Sequence, residues 1–343
     1  HIIVLSVLGT LALAGSLRLE FRRMLGYLGL STLALFVLVV GLRVYFSLFL
    51  PEPPSRSDVL TQIQLMEPRV EAAIHQHVPN VSEGGLRGSR LDHVLSSGVL
   101  QVGYRPNNLP CSFLTPDNSL VGFDVEMAHI LAEDLGLQLE FVPFEFDRFD
   151  LMLNSGQIDL AMSCIAGLPD RYAKASFSRP YLDLTLAFIV RDHERHLYQD
   201  IDALRREKGL TFALVSSHYF EHRIRSVFPE AKVIFLPSAE DFFNGKGEAA
   251  DALLLSAEEG AAYSYRYPHY TSVKVMGGAI KIPAVYAVPK GDFEFMEFVS
   301  NWLYLKQHDG TVDRLYDYWM LGGAAEPKGH RWSVIRDVLG WVD

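Results

Sequence analysis

Residues 98–183 carry the pattern that most narrows what this chain can fold into: three short apolar runs alternate with two helical segments. The run at 100–104 leads into a loop rich in proline and asparagine. Val125, Ala128, Leu131, Ala132 and Leu135 then recur at helical spacing up to Gly136. Leu137, Leu139 and Phe141 alternate with Gln138 and Glu140, a second short helix reaches Asn154 before Gly156, and 158–162 reads as a buried strand. This β-α-β-α-β order predicts a parallel sheet with helices on its faces, because parallel neighbours need a crossover that packs back on the sheet.

The succession VGY, LPCSF, VGFDVEMAHILAEDLG, LNSGQIDLAMS and LPDRYAKASFSRPY resembles the first lobe of bacterial extracellular solute-binding proteins of the polar amino-acid class. The resemblance resumes in VPKGDFEFMEFVSNWLYLKQHDGTVDRLYDYW and covers about 91–319. It implies an α/β, periplasmic-binding-protein-like bilobal clamp with two crossing strands, closing over a ligand by hinge motion.

Composition bounds the alternatives. With 343 residues and 49% hydrophobic content there is material for a membrane segment and a sizeable core. A formal charge of -10 and the lack of a long basic cluster exclude a nucleic-acid footprint. Cys111 and Cys164 are too few for a disulfide scaffold and have no paired zinc spacing; the sequence leaves open whether they bond to each other.

Residues 2–17 are apolar, Arg18, Glu20, Arg22 and Arg23 interrupt them, and 24–42 gives nineteen residues without a charge, enough to span a bilayer. The expectation is an α-helical transmembrane hairpin with its Arg-rich turn in the cytoplasm and everything after residue 50 outside. Arg43 lies near the outer end, where it can snorkel toward headgroups. A signal peptide competes with this reading, but the second apolar stretch is long and lacks a small-residue cleavage site. RRMLGYLGLSTLALFVLVVGL also resembles an early hairpin of the dicarboxylate and glutamate cation symporters. Since the chain starts at His1, a transporter fused upstream is an expectation beside the simple anchor.

Pro51, Pro53 and Pro54 end the membrane helix. A helix over 58–76, broken at Pro68, and a Gly-rich linker at 80–89 form a stalk. The expected organisation is hairpin 1–50, stalk and linker 51–89, first lobe 90–185, second lobe 186–283, return to the first lobe 284–320, and an amphipathic tail 321–343. In the second lobe 184–190 is a crossing strand, strands 210–215 and 232–236 flank a helix at 219–227, and 279–288 is the second crossing strand.

The resemblance also implies a site. Arg171, in LPDR, stands where these proteins place the arginine that grips a ligand's α-carboxylate, a group its planar fork meets bidentately. Arg105 stands where glutamate and aspartate binders carry an arginine for the side-chain carboxylate, and two arginines on one cleft favour a dianion. Asn108 and Phe146 are expected beside them, with Arg148 as a further cation and Phe113 and Tyr219 as further aromatic cover. Where relatives carry hydroxyl residues around the carboxylate, this chain has Ser163, Cys164, Ile165 and Ala166. Where they have a small Gly-Thr-Thr type loop it has Ser217, His218 and Tyr219. Ser256 falls where a carboxylate grips the ligand's amine, so either Glu258 or Glu259 reaches instead or the ligand is a dicarboxylate without an amine. A plainer alternative makes Ser256 the N-cap of a helix with the glutamates in its first turn.

These readings converge on a solute-binding domain tethered to the bacterial inner membrane, on its outer side, that captures a small anionic ligand and hands it to a transporter. The ligand is an acidic amino acid or a dicarboxylate, and neither metal, cofactor nor covalent chemistry is expected. Two other classes stand beside it: a cyclohexadienyl dehydratase with Glu258, Glu259 or Glu145 as general acid, and the sensing domain of a signalling receptor.

Overall fold

The computed structural model describes residues 21–49, 63–66, 70–79, 88–215, 218–246, 250–274 and 280–322. They belong to two units, His1–Ser55 and Arg56–Asp343. In the first, helix α1 (Phe21–Phe49) contains Leu25–Tyr45, 21 residues of mean hydropathy 2.2. Its length and composition suffice to cross a bilayer, a test that a signal sequence near an N-terminus also meets. Residues 1–20, the first arm of the expected hairpin, lie outside the described residues, as do 80–87 of the linker and 323–343 of the tail.

The second unit opens with strand β1 (Ala72–Ile74), helix α2 (Arg90–Ser97) and strand β2 (Val99–Tyr104). A small antiparallel sheet follows: β3 (Asn107–Asn108), β4 (Ser112–Leu114) and β5 (Leu120–Val121). Then come α3 (Phe123–Leu135), β6 (Gln138–Pro143), α4 (Phe149–Ser155), β7 (Leu160–Ala166), α5 (Pro169–Tyr172) and β8 (Ser176–Phe177). Strands β1, β6, β2 and β7 run parallel, as the sequence order requires. Alternation along them splits the core. Leu100, Val102, Phe141 and Leu160 pack with the α3 side chains, whereas Val142, Ala161 and Ile165 join Phe149 and Leu153 of α4.

The long strand β9 (Leu182–Arg191) leads into β10 (Thr211–Val215), α6 (His218–Val227), β11 (Lys232–Leu236), α7 (Ala239–Phe243), β12 (Ala252–Ser256), α8 (Ala257–Arg266) and β13 (Tyr270–Lys274). Strand β14 (Lys281–Val288) returns the chain to α9 (Phe293–His308) and α10 (Thr311–Trp319). β9 and β14 are the two crossings. The first half of β9 pairs with β14, its second half with β12 and β13, and β14 runs on beside β7. One sheet of eleven strands, ordered β1-β6-β2-β7-β14-β9-β12-β10-β11 along its main path, therefore serves both lobes.

One sequence expectation fails at the described end of the stalk. The helix read over 58–76 gives way at Ala72–Ile74 to β1, which pairs in parallel with 139–141 of β6. The His75 amide extends the ladder to the Phe141 carbonyl at 2.8 Å. An open edge on β6 offers main-chain hydrogen bonds that a short helix after Pro68 cannot match, so tertiary pairing overrides local pattern.

Gly122 precedes α3 with φ 136° and ψ 171°, a conformation open essentially to glycine alone, and a Cβ there would lie 2.4 Å from the Cys111 carbonyl oxygen. Gly122→Ala is expected to destabilise the fold by about 3 kcal/mol, seen as a lower urea midpoint at unchanged slope. An unaltered midpoint contradicts the close approach.

Candidate functional site

The loops that follow β2, β6 and β7 at their C-terminal ends meet the second lobe across a cleft of about 650 Å³, its mouth included. Arg105, Asn108, Phe146, Cys164, Ala166, Leu168 and Arg171 line it from the first lobe. Leu184, Leu186 and Ile282 come from the crossing strands, and Leu214, Val215, Phe220, Leu254, Leu255, Ser256 and Glu259 from the second lobe. Its walls are thus mainly apolar, with a few charged groups, the usual make-up of a small-molecule site.

Three side chains set its chemistry. The Arg105 and Arg171 guanidinium carbons lie 4.4 and 4.2 Å from the centroid of the same Phe146 ring. Such cation–π contacts are worth about 0.5 to 2 kcal/mol each and hold the heads while leaving most N–H donors unspent. Arg105 donates through Nη1 to Asn108 Oδ1 at 3.0 Å, and Arg171 through Nη1 to the Ala166 carbonyl at 3.0 Å. Burial lowers the Arg171 pKa to about 10, with nearby Asp170 pulling it back up and the Arg105 charge lowering it further; it stays cationic at neutral pH. Burial lowers Arg105 too, while the charge of Glu259 favours its ionised form. Burial raises the Glu259 carboxyl, and Arg105 opposes that rise.

Asn108 explains how Arg105 is aimed. Its Nδ2 donates to the Ser163 carbonyl at 2.8 Å and to Ser163 Oγ at 3.2 Å, which leaves Oδ1 free to accept from the arginine. Ser163 Oγ is 2.6 Å from Ser112 Oγ, and Ser112 Oγ donates to the Arg105 carbonyl at 2.9 Å. Beneath the cleft a disulfide joins Cys111 to Cys164, with Cα atoms 5.8 Å apart, and ties the arginine-bearing loop to β7. Cys164 takes φ 45°, rare for a residue other than glycine, and its amide donates to Asp124. Asp124 also accepts from Tyr181 Oη at 2.8 Å and from Tyr286 Oη at 2.7 Å.

On the other wall Ser256 is the N-cap of α8 and forms a reciprocal capping box with Glu259. Both sequence readings meet here: the cap is real, and the cap also holds the Glu259 carboxylate at the cleft. Glu258 points elsewhere, accepting from the Thr185 amide at 3.0 Å.

Several expected residues do not face the cleft. Ile165 is buried with Val285 in the core under α4, because strand alternation that brings Cys164 and Ala166 to the cleft turns Ile165 away. Ser163 lies below the floor, fully buried and engaged by Asn108 and Ser112. Tyr219 is exposed and lines a separate surface hollow with His222; one residue further round α6, Phe220 takes the place at the cleft. Phe113 packs edge-on against Trp319 at 6.2 Å beside a different, apolar cavity. Arg148 is an exposed residue at the start of α4. Ser217 and the His218 side chain lie outside the described residues. Sequence reasoning missed the apolar lining: Leu168, Leu184, Leu186, Leu214, Val215, Phe220, Leu254, Leu255 and Ile282. Their signal was weak: apolar residues near strand ends look the same whether they face a cleft or a core.

Residues 100–322 match the family of bacterial extracellular solute-binding proteins, family 3, and the chain belongs to it. It is 28% identical over 236 residues to the cyclohexadienyl dehydratase of Pseudomonas aeruginosa, covering 68% of this chain and 86% of that protein. It is 25% identical over 231 residues to the L-cystine-binding protein TcyJ of Escherichia coli, covering 67% and 85%. The crystal structure of AncCDT-1, an ancestral amino acid-binding protein described as a precursor of cyclohexadienyl dehydratase, superposes with a TM-score of 0.59. That match has 28% identity and covers 68% of this chain and all of that one.

Burial raises the Asp124 carboxyl to about 6 despite its three donors. A carboxyl with a folded pKa above its free value near 3.9 binds extra protons in the folded state between about pH 4 and 6. Its contribution to stability is therefore full below about pH 4 and is lost as pH rises through 6. Relative to Asp124→Asn, the wild type is expected to gain up to about 3 kcal/mol as pH falls from 7 to 4. Carboxyl carbon chemical shifts should place the midpoint near 6; a midpoint near 4 with parallel stability profiles contradicts it.

Proposed function

We propose that this chain captures an acidic amino acid outside the cytoplasm without covalent chemistry and presents it to a membrane transporter. The observation that carries the reading is the convergence of two guanidinium groups and one carboxylate on one cleft. Two carboxylates and one ammonium complement that set group for group. Arg171 takes the α-carboxylate, Arg105 the side-chain carboxylate and Glu259 the ammonium, so no charge is buried without a partner. A dicarboxylate lacking the amine would face Glu259 with like charge, which favours the amino acid. The relatives' ligands differ, L-cystine by name in one case, and the arginine pair is what supports an acidic ligand here. Helix α1, with Arg18, Arg22 and Arg23 before its apolar span, supports a membrane tether with the clamp outside. The Cys111–Cys164 disulfide supports an oxidising compartment.

A second reading has one observation in its favour. Prephenate is a dicarboxylate that loses carbon dioxide and water, and a half-buried Glu259 whose pKa burial raises is placed to protonate the departing hydroxyl. The similarity to a cyclohexadienyl dehydratase supports the same idea.

Calorimetry on the detergent-solubilised chain with glutamate, aspartate, succinate, arginine and prephenate tests both. Arg171→Ala is expected to weaken glutamate by about 100-fold, as for loss of a charged hydrogen-bonded partner. Arg105→Ala should cut the preference for glutamate over glutamine, and Glu259→Gln should weaken glutamate while sparing succinate. Equal affinities across all three variants refute the assignment. Phenylpyruvate formed from prephenate, and lost in Glu259→Gln, selects the enzyme.

A further inference from the structure

Helix α8 turns one face toward the first lobe. Glu259 lines the cleft, and one turn later, at the i+4 position, Tyr263 donates its hydroxyl to the Asn107 main-chain carbonyl at 2.8 Å. Asn107 belongs to the small β3-β4-β5 sheet of the first lobe, 156 residues away in sequence. Its neighbour Asn108 is the residue that aims Arg105. The Tyr263 ring is buried, packed 5.0 Å from Phe243 and 6.4 Å from Tyr267, so the hydroxyl is carried by a side chain that cannot swing away. The helix itself is seated tightly on β9: a Cβ at Gly260 would fall 2.0 Å from Ile189 Cδ1. A rigid element of the second lobe thus meets the cleft and the arginine loop together.

We propose that Tyr263 is a positioning residue that latches the two lobes and so sets affinity without touching the ligand. Hinge motion that brings Glu259 to the cleft necessarily brings Tyr263 to Asn107. The hydroxyl therefore favours the closed arrangement before any ligand arrives, and affinity rises by the fraction of chains already closed. The bond is made to a main-chain carbonyl, so it fixes the strand rather than one rotamer. The same strand has a second, looser stitch: Asn107 Nδ2 stands 3.5 Å from Glu240 Oε2, and Glu240 pairs with Arg266 of α8 at 2.6 Å.

Tyr263→Phe keeps the ring and removes only the hydroxyl. Spin labels at Lys174→Cys and Lys208→Cys, exposed positions on the first and second lobes, report the interlobe distance by pulsed dipolar spectroscopy on the detergent-solubilised chain. Without added ligand, Tyr263→Phe is expected to shift the distance distribution toward the open arrangement. Asn107→Ala keeps the carbonyl and removes only the 3.5 Å contact of its Nδ2 with Glu240, so it should open the lobes less than Tyr263→Phe does. This readout needs no ligand and stands even where the amino-acid reading fails. The affinity arm rests on that reading: Tyr263→Phe should weaken every bound ligand by the same factor, about three- to tenfold for one hydrogen bond. Unchanged distances in Tyr263→Phe overturn the proposal, as does an equal opening in Asn107→Ala. A change in ligand ranking without a change in distance also overturns it, because Tyr263 would then be a ligand contact.

Discussion

Like charges held against one ring are the constraint on which the cleft depends. Arg105 and Arg171 repel each other and are both half-buried, so an empty cleft keeps an unbalanced cationic field. The protein offsets that cost locally, with the Phe146 face, the Asn108 amide oxygen and the Ala166 carbonyl. Behind these stand buried hydroxyls and the Asp124 cluster, which satisfy polar groups that would otherwise be desolvated without partners, and the disulfide, which ties the loop to β7 covalently. Each guanidinium donates one hydrogen bond to the protein among the described residues, and the field of both is available to an anion.

The crossing strands turn this local arrangement into a clamp. Because β9 pairs with β12 and β13 of the second lobe and with β14, and β14 pairs on with β7 and β8 of the first, one continuous sheet runs from lobe to lobe. Hinge bending in a clamp of this kind falls on the strands that cross between the lobes. Helix α8 illustrates the consequence: capped by Ser256 and seated on β9 through Gly260, it carries its charged and hydroxyl groups as one unit.

Much of this was legible in residue order. The β-α-β-α-β pattern fixed the parallel first lobe, and Arg105, Asn108, Phe146, Cys164, Arg171, Ser256 and Glu259 all line the cleft. The misses share a physical cause. Ile165 and Tyr219 lie one position from true cleft residues, and a strand or helix changes face within a single residue, finer than a motif alignment resolves. The local pattern at β1 suits a helix, and its strand partner, 139–141, is remote in sequence. The disulfide was open for the same reason: nothing in a 53-residue separation says where two cysteines meet.

The sequence by itself determined the alternation of strands and helices in the first lobe, because periodicity and glycine placement are local properties; the two arginines came from the resemblance to the family, and the helix-capping serine stood as one of two alternatives. Tertiary structure alone decided that both guanidinium groups share Phe146, that Glu259 rather than Glu258 reaches the cleft, and that Tyr263 touches Asn107. Those facts depend on how a helix phase and a strand crossing place side chains from distant segments within a few ångströms. No local pattern records that placement.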